Sequence, residues 1–286
     1  MGTIGESAFE GAECLFALND VNEVNQEENL INVSYFRNIG AKAFEGAAAT
    51  SIIIGDYVEG IGQGAFGKMP NLTTINTSMT GGDRDASFDT GAREDAYFAY
   101  IFASDYDWTN GTYYEAQYLL DADDPDSMVY YYVANKIDYI YTGNVIAEYA
   151  FSNTDMIGSM SIDNVTQISD YGFYKNTGMD DFAIDEQIEL ESIGKYSFYQ
   201  AKITSFSFGE SLTYIGYNAF TGATNATTGE SPTITCVGDE ARGATWYFLN
   251  ENDVRVQDPL NADEDMYIYA NGIDSSSTYD YGLEKE

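Results

Sequence analysis

Isoleucine, a small residue, two variable positions, a second small residue and phenylalanine recur in that order seven times along the chain. The copies are IGESAF from Ile4, IGAKAF from Ile39, IGQGAF from Ile61, IAEYAF from Ile146, ISDYGF from Ile168, IGKYSF from Ile193 and IGYNAF from Ile215. Their starts differ by 35, 22, 85, 22, 25 and 22 residues. A base step of that size is the period of a solenoid, in which each repeat is one winding that buries its apolar side only against its neighbours. Ahead of several hexads stands a short alternating run, carried by Ile52 and Ile54, Met160 and Ile162, Phe182 and Ile184, or Phe206 and Phe208. Alternation with period two predicts a short strand with one side inward. Polar turn residues follow. An apolar residue then sits three positions before the hexad: Phe36, Val58, Val165, Leu190 or Leu212. The reading is a stack of parallel strands on one side and a return path through the hexads on the other. Hexad Ile and Phe form buried columns, and the small residues let adjacent backbones approach.

This pattern, with Asn71-Leu72 following Phe66, resembles the BspA-type leucine-rich repeats of bacterial surface proteins, over roughly residues 4 to 256. The resemblance implies a right-handed leucine-rich-repeat coil with a parallel β-sheet on its concave side and an irregular or short helical return path. It also implies an exported or cell-surface protein active in adhesion and host-protein binding.

The period breaks between Ile61 and Ile146. AYFAYIFAS (Ala96 to Ser104) is predicted to substitute for one hexad, with Phe98 and Phe102 inward. Residues 106–132 are read as an insertion bulging from the coil, and residues 11–29 as a smaller one. Residues 232–257 are expected to cap the stack with a strand, an amphipathic helix near Glu240 to Asn250 and a short strand. Residues 1–257 therefore form the solenoid. The acidic stretch 258–286 reads equally as a tail, a linker or an extra edge on the cap. No leader-like segment is visible, and the chain opens inside a hexad, so sequence upstream of Met1 is expected.

Composition then narrows the function. Net charge is −35, with 47 acidic against 12 basic residues. Such a polyanion repels nucleic acid and anionic membrane surfaces. No apolar run is long enough to span a bilayer. The chain has no histidine, which removes imidazole-based nucleophilic catalysis and His-ligated metal sites. Cys14 and Cys236 lie 222 positions apart in a chain read as elongated, and are taken as two small buried hydrophobes. The S-x-x-K match at Ser192 to Lys195 falls inside a hexad and lacks its partner motifs. The carboxylates of DADDPD (Asp121 to Asp126) lack the glycine and glutamate of a calcium loop. No catalytic residue, metal site or cofactor is assigned.

Of 25 tyrosines, Tyr149, Tyr171, Tyr196 and Tyr217 occupy variable hexad positions and are read as ordinary return-path residues. Another group crowds the insertion. Rigid aromatic residues with polar tips are enriched at binding hot spots, so Trp108, Tyr113, Tyr114 and Tyr118 are the candidate ligand-binding residues. The resulting expectation is a non-enzymatic, secreted or surface-bound binding protein. It presents an acidic, aromatic-rich sheet and insertion to a basic host protein or another cell-surface protein. A carbohydrate-binding module and a structural spacer are the alternatives.

Overall fold

A computed structural model of the chain describes residues 2–12, 30–84, 94–102, 114–120, 128–133, 137–155, 157–162, 165–178, 183–184, 189–225, 227–237, 244–256, 267–269 and 280–286. The alternating segments form the main sheet. Five parallel strands lie in the order Ile157–Ser161, Ile137–Tyr141, Thr74–Thr77, Ser51–Ile54 and Leu30–Asn32. Ala183–Ile184, Ser205–Phe208 and Thr233–Cys236 make a further parallel set of three. Ile52, Ile54, Ile75, Ile140, Phe206 and Phe208 point inward and are buried, while their neighbours in the alternation point out.

The hexads do more than return the chain. Each begins with a short strand ending in its isoleucine, and these strands pair in parallel as a second sheet. Ile4, Ile39 and Ile61 fall in register in one set, and Ile146, Ile168, Ile193 and Ile215 in another. This second ladder was not visible in the sequence, because strands of two residues carry no alternation.

After the isoleucine, each hexad makes a tight turn whose amides reach the next winding. Tyr149, Phe151 and Asn153 donate to the carbonyls of Asp170, Gly172 and Tyr174 at 3.3, 2.8 and 2.7 Å. Tyr171, Phe173 and Lys175 repeat the set toward Lys195, Ser197 and Tyr199. Pointing alternate amides the same way requires left-handed backbone at the fourth hexad position. Ser7, Lys42, Gly64, Tyr149, Tyr171, Tyr196 and Asn218 all have φ between 51° and 69°. Most carry a side chain, so each accepts a conformational cost of about 1–2 kcal/mol, which the inter-winding bond and the buried ring offset.

The phenylalanine column runs through the stack. Ring centroids are 5.2 Å apart for Phe9–Phe44, 5.6 Å for Phe44–Phe66, 5.4 Å for Phe151–Phe173 and 5.2 Å for both Phe173–Phe198 and Phe198–Phe220. Burying each ring contributes about 1.5–3 kcal/mol.

At the break, the 3-10 turn Phe98–Ile101 replaces a hexad. Phe66 and Gly64 donate to the carbonyls of Ile101 and Tyr100, and Phe98 donates to Ala150. Phe98 and Phe102 are buried, and Phe98 lies 5.0 Å from Phe151. Thr74–Thr77 pairs directly with Ile137–Tyr141, so a single substitute winding separates the Ile61 and Ile146 windings. Within the excess sequence, Tyr114–Leu120 and Met128–Val133 pair as an antiparallel hairpin.

The C-terminal end corrects one expectation. Thr245–Leu249, placed in the predicted amphipathic helix, is a strand with Trp246, Phe248 and Leu249 buried. Its alternation of Trp246 and Phe248 inward against Tyr247 outward suits a sheet. Gly282–Lys285 lies between it and Tyr214–Ile215, antiparallel to both. Leu283 thereby extends the isoleucine column opposite Ile215. The acidic C-terminal stretch thus supplies an interior strand of the second sheet. Cys236 is buried at the end of its strand; Cys14 lies outside the described residues.

Candidate binding surfaces

Two sides of the stack differ in chemistry. On the main sheet, the outward positions form rows. Leu30, Ser51, Thr74, Tyr139 and Ser159 fall in register across five strands. Beside them run Asn32, Ile53, Asn76 and Ser161. In the three-stranded set, Ser205 faces Thr233 and Ser207 faces Thr235. Among the described strands of this sheet, Asp138 is the single charged residue. The expectation of an acidic main sheet is therefore corrected. The outward positions of its described strands carry mainly hydroxyls and amides, with Leu30 and Ile53 among them. The signal stood in the sequence as the outward Ser and Thr of TINT, SMS, SFS and TIT, but a net charge sums over all surfaces.

On the hexad side, tyrosines form their own column. Centroids are 5.9 Å apart for Tyr97–Tyr149, 4.6 Å for Tyr149–Tyr171 and 5.1 Å for Tyr171–Tyr196, all stacked. Tyr174 and Tyr199 stack beside them at 5.4 Å. Burial, reinforced by the neighbouring tyrosines and Glu148, pushes the Tyr97 and Tyr149 hydroxyls above the usual phenol range. Tyr149 and Tyr171 are stacked on both faces, while Tyr217 meets Tyr196 edge-on at 5.7 Å. That matches a packing role for Tyr149 and Tyr171.

Lys195, the lysine of the S-x-x-K match, joins the last windings to the turn after Thr245–Leu249. Its ammonium donates to Asp253 Oδ2 at 2.7 Å and to the Glu251 carbonyl at 2.8 Å. The Tyr214 hydroxyl donates to the other Asp253 oxygen at 2.9 Å. The Lys195 amide donates to Asp170 Oδ1 at 2.7 Å. Burial pushes the Asp170 carboxyl upward, against the pull of that hydrogen bond and of the Lys195 charge. The network fastens the turn after Thr245–Leu249 onto the last windings.

The break opens a cleft of about 740 Å³, lined by Glu59, Asp83, Arg84, Asp95 and Tyr100 over glycines 60, 62 and 82. No such cleft was expected from a regular coil; it arises where one hexad is replaced. Arg84 is spent on the backbone: it donates to the carbonyls of Val58 (2.6 Å), Gly55 (3.0 Å) and Ser78 (3.3 Å), and to the Ser78 hydroxyl (2.9 Å). Glu59 is paired with Arg37 at 2.6 Å. Among the described residues, no three His, Cys, Asp or Glu side chains are placed to hold a metal ion.

Of the sequence-chosen residues, Trp108 and Tyr113 lie outside the described residues, as does the acidic turn Asp121 to Asp126. Tyr114 and Tyr118 lie on the first hairpin strand, opposite Val133 and Tyr130. Tyr131, from the same aromatic cluster, is fully buried and presents no surface to a ligand.

The family model for the BspA type leucine rich repeat region matches residues 1–81 and 130–240, in six copies. The chain belongs to the BspA-type leucine-rich repeat family. The gap between the two matched stretches spans the substituted winding and the first hairpin strand. No curated protein and no solved structure matches the chain. BspA-type repeats are in general non-enzymatic binding scaffolds, and this chain has their stacked, mostly parallel strands with almost no helix. Among the described residues, no helix is long and apolar enough to cross a membrane.

Proposed function

We propose that this BspA-type protein is a non-enzymatic adhesion protein, secreted or held at a bacterial cell surface, that binds a host or cell-surface protein. The coil is right-handed in this reading, with the main sheet on its concave side. The observation that carries it is the main sheet's outward side. It is continuous over five parallel strands, bears one carboxylate among its described strands, and belongs to a chain of net charge −35. A partner can dry that side without stranding charges, whereas the carboxylate-rich turns keep their water. Trp108, Tyr113, Tyr114 and Tyr118 of the hairpin region are proposed to add aromatic contacts beside it.

Binding to a panel of immobilised host surface proteins, followed over rising salt, tests this. Charges farther apart than about 8 Å are screened at physiological ionic strength. A partner seated on the sheet, whose described strands carry one charge, should lose little affinity as salt rises. A basic partner gripped by the carboxylates should lose affinity steeply, and that result would move the site off the sheet. Alanine at Tyr114 and Tyr118 should weaken the same binding about tenfold, or 1.4 kcal/mol, with the melting temperature unchanged. Unaltered affinity would remove the hairpin from the site.

A further inference from the structure

We infer that Tyr35 and Tyr57, beside the cleft at the break, form a platform for a glycan free of acidic groups. The platform lies off the main sheet, and the inference does not rest on the reading of that sheet. Tyr35 and Tyr57 each stand four positions before a hexad isoleucine, Ile39 and Ile61. Later windings hold polar residues at that place: Thr142, Asn164, Glu189 and Ser211. Ile39 and Ile61 pair in register, and the Glu59 amide donates to the Arg37 carbonyl at 2.7 Å. Neighbouring parallel strands stand about 4.8 Å apart, so the two tyrosines lie side by side. Half-buried Phe36 and buried Val58 turn inward, which sends Tyr35, Arg37, Tyr57 and Glu59 outward.

Openness separates these two rings from the packed ones. Tyr35 is 63% exposed and Tyr57 57%, whereas Tyr149 and Tyr171 are stacked on both faces. Among the described residues, neither Tyr35 nor Tyr57 has a ring contact or a hydrogen bond. Each ring can take the C–H face of a sugar, and each phenol both donates and accepts. Polar groups flank the platform. Arg37 Nε donates to Glu59 Oε2 at 2.6 Å. The rest of that guanidinium, Glu59 Oε1 and the Asn38 carboxamide make no hydrogen bond among the described residues. Donors, acceptors and groups that do both thus stand together, which suits a sugar's hydroxyls.

The cleft narrows the class. Asn38 and Glu59 line it, with backbone at glycines 60, 62 and 82, while Ile39 and Ile61 are buried. That lining suits hydroxyls better than the apolar side chains that anchor a peptide. Glu59, Asp83 and Asp95 bring carboxylates to it, and Arg84 is held by backbone carbonyls. A sulfated, phosphorylated or uronic ligand is repelled there and by the chain's net charge of −35. A neutral or amino sugar meets no such penalty.

The full chain would be applied to an array of neutral, amino-bearing and acidic oligosaccharides, with proline-rich peptides alongside, and its hits measured by calorimetry. Glycans without acidic groups should bind and acidic ones should not. Tyr35→Ala and Tyr57→Ala should each weaken binding about tenfold. Tyr57→Phe keeps the ring and should lose less than Tyr57→Ala. Both side chains are exposed, so the melting temperature of each variant should stay close to that of the parent. Absence of any glycan hit would overturn the inference, as would equal binding of acidic glycans. Hits that ignore both alanine variants would place the glycan elsewhere and overturn it too. Binding of the peptides alone, lost in the alanine variants, would give the platform to a protein partner and remove the glycan.

Discussion

Phe198→Ala is expected to cost about 3–5 kcal/mol of unfolding free energy, the range for emptying a phenylalanine site in a core, read as a lowered midpoint in chemical denaturation. Phe198 is fully buried, with rings stacked on both sides: Phe173 at 5.2 Å and 6°, Phe220 at 5.2 Å and 2°. Its neighbours cannot close the gap, because their separation is fixed by backbone bonds. Phe173 donates to Ser197 and Phe198 to Ala219, each at 2.8 Å. A site that relaxes poorly keeps its cavity, and cavity volume sets the excess over the transfer term. Phe9, in the first winding, is half-buried and stacks on one ring, Phe44; Phe9→Ala should cost less than half as much. Equal losses at the two positions would mean that the column does not act as a stack.

Gly194→Ala is expected to be nearly as damaging, about 3 kcal/mol, at the upper end for overpacking. A Cβ at Gly194 would stand 2.3 Å from the Asp170 amide nitrogen and 2.4 Å from the Ser169 carbonyl carbon. Those atoms are backbone of the preceding winding and cannot rotate aside. Gly216 faces the same obstacle at the Lys195 nitrogen, 2.3 Å away. Gly5 holds the same hexad position in the first winding, and a Cβ there would meet nothing within 4 Å. Gly5→Ala should therefore fall within about 0.5 kcal/mol of the parent, the usual span for surface changes. The contrast separates a requirement of the stack from one of the motif, since the local sequences are alike. A thermal melt of the two variants decides it; similar midpoints would contradict the close approach.

How much of this was legible in the sequence depended on period. Hexad Ile and Phe recur at fixed places, and every such Phe from Phe44 to Phe220 is buried as read. Phe98 and Phe102 were recoverable inside the break because aromatic spacing survives the loss of the motif. The second sheet was hidden, since strands such as Gln167–Ile168 are too short to show a period. Thr245–Leu249 was misread because five apolar-rich residues fit either a helix or a strand. Pairing with Tyr267–Tyr269 and with Gly282–Lys285, both later in the chain, selects the strand. The sparsely charged sheet escaped because −35 is a sum, and its distribution over surfaces depends on which residues of each strand face out. Carboxylates are scarce on the described parallel strands, Asp138 being the one there, for a physical reason: neighbours about 4.8 Å apart would bring like charges together in ladders.

Placing a lysine on each side of the stack in turn tests most directly where this protein binds. Asn76→Lys puts a charge on the outward side of the main sheet. Gln200→Lys puts one on the hexad side, at the repeat position where Lys68 and Lys175 already stand with the same left-handed backbone. If the sheet is the binding side, Asn76→Lys lowers affinity for the captured partner at least tenfold, about 1.4 kcal/mol, at an unchanged melting temperature, and Gln200→Lys leaves affinity alone. The reverse pattern, or equal affinity for both variants and the parent, would contradict it.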